Sequence, residues 1–153
     1  MSSGKRSALV VVAVAFSIAV WAPFGTAGVE AEPAGRHCSN RTLRGNYGGS
    51  FDGQIPAGPG TVLLRGLVVT HFDGAGNLRQ MEFVTANGVP PSGGEWTPTE
   101  GTYEIGPDCT GVAEILQTNG NILRQRWVVV DRGREIRAVV EGAVAGGTRI
   151  KID

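Results

Sequence analysis

The chain is poor in the residues from which reactive centres are most often built. Its 153 residues hold two cysteines and two histidines, with neither the CxxC spacing nor the paired histidines of a zinc or redox site. A nucleophile elbow, a phosphate-binding loop and a dinucleotide fingerprint are all missing, so no cofactor and no metal is expected. Net charge is lacking too. Fourteen basic residues balance 14 acidic ones, which removes the broad attraction that nucleic acid or an anionic membrane would need. Long helix-favouring runs are absent, as is an apolar run of the roughly 20 residues that a membrane-spanning helix requires.

What the chain does have begins at its N-terminus. Lys5 and Arg6 precede an apolar run from Ala8 to Trp21, 14 residues long and broken only by the hydroxyl of Ser17. This is the plan of a secretory signal peptide, predicted over residues 1–31 with cleavage after Ala31 in preference to Ala27. A retained N-terminal anchor is the alternative. Residues 32–153 are then a single domain, soluble once the leader is removed, and either secreted or periplasmic. They carry 12 basic and 13 acidic residues. Cys38 and Cys109 both fall in this exported part, where two cysteines most simply form one disulfide. That bridge would tie the start of the mature chain to its central turn.

Twenty-four glycines and many turn sequences point to an all-β fold. In Gly101–Ile105, Tyr103 and Ile105 point one way and Thr102 and Glu104 the other, as in a half-buried strand. Gly106-Pro107-Asp108 then supplies turn chemistry. Read this way along the chain, strands are expected at 45–51, 61–72, 78–86, 101–105, 111–117, 122–130, 135–144 and 148–150. Loops are expected at 53–60 and 87–98, and turns at 73–77, 118–121, 131–134 and 145–147. Eight strands joined mainly by short turns predict an antiparallel up-and-down barrel, which removes exposed edges by closing on itself. A two-sheet sandwich is the alternative.

Three motifs recur in order: Cys38-x-x-x-Thr42-Leu43-x-Gly45-x-Tyr47, Phe72-Asp73-Gly74-x-Gly76-Asn77-Leu78, and Gly101-Thr-Tyr-x-Ile-x-x-Asp-Cys-Thr-Gly111. Together they resemble a group of small exported, largely uncharacterised bacterial proteins, over nearly the whole mature chain. The resemblance implies a barrel similar in architecture to the allene oxide cyclase and dirigent proteins and, more distantly, to lipocalins. No catalytic motif of the cyclases is matched, so no active-site residue follows from it.

Candidate chemistry is sparse. His71 is the only histidine inside the predicted fold and would serve as an acid or base if it faced inward. It shares a strand with apolar residues on both faces, and a surface position beside a turn is the commoner outcome. Charged residues recur at Glu82, Glu104, Glu114, Arg124, Arg126, Arg137 and Glu141. Cross-strand ion pairs on an outer wall account for them; placing Glu114 and Arg126 in a polar interior is the sharper alternative. Asp73-Gly-Ala-Gly-Asn77 lacks the ligand pattern of a calcium loop and reads as a hairpin turn. Tyr47, Phe72, Phe83, Tyr103 and Trp127 are the candidates to line one cavity, with Trp96 on a loop long enough to cover it, although core packing uses aromatics equally. The expected function is therefore an exported barrel that binds a small apolar molecule or presents a structural surface, including one for self-association. A cyclase or isomerase acting inside the barrel is the alternative.

Overall fold

A computed structural model describes residues 37–90 and 92–153, and the expected signal peptide lies outside them. Eight strands follow one another without interruption by any long helix: β1 (Gly45–Ala57), β2 (Gly60–Phe72), β3 (Asn77–Ala86), β4 (Thr97–Ile105), β5 (Thr110–Leu116), β6 (Ile122–Val130), β7 (Glu135–Val140) and β8 (Val144–Lys151). Each is antiparallel to its neighbour, and β8 closes on β1 in a register running from Tyr47↔Lys151 to Gln54↔Val144. The fold is the closed up-and-down barrel, and closure excludes the sandwich.

Alternation decides which residues fill the barrel. Val68, Thr70 and Phe72 of β2 are buried, whereas Leu67 and Val69, which alternate with them, are exposed. That strand is apolar on both faces, and pairing with β1 and β3 selects the inner one. Tyr103 and Ile105 point inward as their alternation requires, and Thr102 and Glu104 face out.

Three boundaries differ from expectation. The stretch 53–60 is not a loop: β1 and β2 remain paired up to Ala57↔Gly60, and the long hairpin turns on two residues. β4 begins at Thr97, so the loop after β3 is shorter than expected. Ala145-Gly146-Gly147 belong to β8, and the turn is formed by residues 141–143, with Gly142 at φ 76°. Glycine reads as a turn signal from sequence alone. In β8 it instead lets neighbouring chains approach closely.

One end of the barrel is packed solid. Leu43, Tyr47, Phe72, Tyr103, Trp127 and Ile136 form its core, and the Phe72 ring meets those of Tyr47, Tyr103 and Trp127 edge to face at 5.1, 5.1 and 5.7 Å. Fully burying an apolar side chain of this kind contributes about 1.5–3 kcal/mol. The segment before β1 plugs this end. Its single 3₁₀ turn (Asn40–Thr42) is held by the Cys38–Cys109 disulfide and by the Asn40 Oδ1, which accepts from the Ile105 amide at 2.8 Å. The Tyr103 hydroxyl donates toward the carbonyls of Asn40 and Leu43, each at 3.0 Å, and the Tyr47 hydroxyl donates to the Gly133 carbonyl. Buried polar groups of the plug are thus paired, as burial demands.

Candidate functional site

Beyond the aromatic core the inner wall changes character. Moving toward the opposite end of the barrel, the next inward positions are Gln80 and Glu82 on β3, Gln125 on β6 and Arg149 on β8. These four line a cavity of about 150 Å³ whose remaining walls are largely apolar, with Phe51, Leu64, Val68, Val84 and Leu123 among them. The space exists because small residues face it. Ala138, Ala145, Gly146 and Gly147 are among its lining residues, and a Cβ on Gly66 would run into the Phe51 ring, which occupies the room that this glycine leaves.

Arg149 is the dominant group of this site. Its side chain is 5 % exposed, and its guanidinium lies over the Trp127 ring at 5.6 Å from the centroid. Nη2 donates to Gln125 Oε1 at 3.3 Å, and the same oxygen accepts from Trp127 Nε1 at 2.9 Å. Nε–H has no protein partner. Burial pulls the guanidinium down to about 10, with Glu82 opposing that shift, so the group is a cation at neutral pH.

Glu82 faces the same cavity without forming a salt bridge to Arg149. Gln80 Nε2 donates to its Oε2 at 3.3 Å, and Gln80 Oε1 is itself engaged by Thr70 Oγ1 at 3.3 Å. Burial pushes the Glu82 carboxyl above the ordinary glutamate range, and the positive charge of Arg149 and the Gln80 bond only partly offset this. Two further polar atoms without partners sit close by: Gln117 Nε2 at the end of β5 and Thr99 Oγ1 on β4. The β4–β5 ladder begins only at Glu100↔Leu116. Above it β4 continues along β3 with no β5 partner beside it, and Gln80 and Gln117 line both the inner cavity and a groove on the outer wall.

The residues singled out from sequence are divided among three places. Tyr47, Phe72, Tyr103 and Trp127 do come together, but as the filled core below the cavity; of these only Trp127 touches the site, as the surface beneath Arg149. Phe83 and Trp96 pair on the outer wall with ring centroids 5.9 Å apart, so the Trp96 indole packs against the barrel flank rather than across the cavity. Glu114 and Arg126 do not stand in a polar interior. Ala113, Ile115, Gln125 and Trp127 take the inner positions of β5 and β6, leaving Glu114 paired with Arg124 at 2.6 Å and Arg126 paired with Glu141 on the outer wall. His71 is likewise outside, its Nδ1 bonded to Asn46 Oδ1 at 2.9 Å. Among the described residues no cluster of side chains is arranged to hold a metal. The Asp73 carboxylate is consumed by its own turn, accepting from the amides of Ala75, Gly76 and Asn77 and from the Asn77 side chain.

No family model matches the chain, and no curated protein matches it.

Proposed function

We propose that this protein is an exported β-barrel that holds a small, largely apolar molecule at the open end of its interior. The observation that carries the reading is the cavity of about 150 Å³, apolar on most of its wall and bounded by a buried, incompletely partnered arginine. A cavity of that size is enough for a ligand of about benzene's dimensions, and a few convergent polar groups in an apolar pocket are the usual make-up of a binding site. Export is supported by the basic, then apolar, start of the chain and by the Cys38–Cys109 bridge. The resemblance to small exported bacterial barrels points the same way.

A second reading, a cyclase or isomerase, rests on Glu82. A carboxyl whose pKa is raised above the ordinary glutamate range by burial beside an apolar cavity has the properties of a general acid or base. Native mass spectrometry on protein purified from its own host's envelope tests the first reading. A reproducible extra mass that is lost on denaturation supports it, and the released molecule then serves to test turnover. A bare mass, together with no uptake of benzene-sized probes, overturns it in favour of a structural module.

A further inference from the structure

We infer that the molecule held in the barrel is a small monocarboxylic acid, bound with its carboxylate on Arg149 and its apolar part along Val68, Val84 and Leu123. This rests on the binding function proposed above and specifies its ligand. The argument begins with the donors. Arg149 Nε–H and Gln117 Nε2 are buried without protein acceptors, and Arg149 contributes to the wall of the cavity. A buried, unpaired donor costs about 1–3 kcal/mol, more when charged. The complement missing from the wall is therefore an acceptor, and the strongest acceptor for a guanidinium fork is a carboxylate.

The site is also prepared as a receptor. Trp127 supports the guanidinium from below, and Gln125 Oε1 fixes Nη2 while itself being fixed by the indole N–H. The cation is thus aimed before any ligand arrives, which lowers the ordering cost of binding. The apolar majority of the wall and the small volume argue against phosphate esters or sugars, whose many oxygens would find few partners there.

Glu82 sets the charge balance. The groups facing it are Arg149 from β8, Gln80 from its own strand, and Val68 and Thr97 across the ladders from β2 and β4, so among the described residues Arg149 is the one charge it meets. An incoming carboxylate would bring a second negative charge to a single cation. Glu82 accommodates it by taking a proton from solvent, so that one anion and one proton enter together and the site keeps its net charge.

Calorimetric titration of the purified protein with benzoate, benzamide and toluene tests this. Benzoate is expected to bind about ten-fold or more tightly than benzamide, as a charge-assisted bond to Arg149 requires. Arg149→Met should abolish that preference while toluene still binds, and Arg149→Lys should restore part of it. Glu82→Gln should tighten benzoate binding at pH values where the wild-type carboxyl is ionised, and remove the proton uptake seen by comparing buffers of different ionisation enthalpy. If Arg149→Met does not fold, the wild-type ligand series and Glu82→Gln still decide. Uptake of toluene with no preference for benzoate would overturn the carboxylate assignment and leave the binding function standing; uptake of none of the three would overturn both.

Discussion

Gly49 lies directly opposite Arg149 in the β1–β8 ladder, and the side chain that the glycine lacks is the space the arginine stem occupies. A Cβ on Gly49 would fall 2.9 Å from both Cα and Cγ of Arg149, and closer still to the Thr148 carbonyl. Gly49→Ala is therefore expected to cost about 1–3 kcal/mol, the range of overpacked interiors. It should also displace the guanidinium from Trp127. Combining it with Arg149→Ala should recover part of the loss, since part of the clash is with the arginine stem. A double-mutant cycle by denaturant unfolding measures that coupling, and simple additivity would contradict the steric account.

Glu82 gives the barrel a pH dependence of known sign. Its carboxyl titrates above the ordinary value of 4.5 in the folded state because burial disfavours the anion. Between the two values the folded chain holds a proton that the unfolded chain has released. Stability should therefore fall as pH rises from the ordinary glutamate range through the folded-state pKa, and then level off. Glu82→Gln should flatten that slope. Melting curves of the two proteins across mildly acidic pH check it, and parallel curves would place the Glu82 carboxyl in water.

The disulfide and the backbone at Cys109 make separable contributions. Cys38 and Cys109 are 71 residues apart in sequence, a closure worth about 4 kcal/mol in the chain-entropy model. Cys109 also sits at φ 65°, in the left-handed region, where a side chain costs roughly 1–2 kcal/mol. Cys109→Ser should lose the bridge and keep the strain; Cys109→Gly should lose the bridge and relieve it. Both should melt well below the wild type, with the glycine variant the more stable of the two. Equal melting temperatures would mean that the turn relaxes once the bridge is gone.

The barrel was legible in the sequence because its signals are local. Turn residues at Gly106-Pro107-Asp108 and Asp73-Gly74, together with period-two alternation at Tyr103 and Ile105, each depend on a few neighbours. The cavity was not, because alternation runs against habit there. On β3 the outward Met81 and Phe83 are apolar while the inward Gln80 and Glu82 are polar, so hydropathy assigns the faces the wrong way round. Arg149 was obscured by its neighbours Gly146 and Gly147, which read as a turn. One signal was available: Gln80, Glu82, Gln117 and Gln125 fall on the same alternate positions as core residues that precede or follow them. Extending the inward parity of Leu78, Ile115 and Trp127 along and just past β3, β5 and β6 reaches all four. Arg149 requires the β1–β8 pairing, which is a property of closure and of no single strand.

The β2–β3 turn should confer resistance to acid. The Asp73 carboxylate closes its own hairpin by accepting from Asn77 Nδ2 at 2.6 Å and from three amides at 2.7, 3.0 and 3.0 Å. These bonds favour the charged form and hold its pKa down to about 2, against an ordinary 3.8. A depressed carboxylate contributes stability that is fully present above the unfolded value and is lost as pH falls through the folded one. Asp73→Asn replaces an acceptor with an amide group that meets the Asn77 amide donor to donor, and Asp73→Ala removes the turn's acceptors altogether. Both should melt below the wild type near neutral pH. The gap should narrow as pH falls from about 4 toward about 2, where the wild-type carboxyl takes up its proton. A gap that stays constant over that interval would show that the turn is stabilised by its glycine geometry at Gly74 and Gly76, and that the charge on Asp73 contributes nothing.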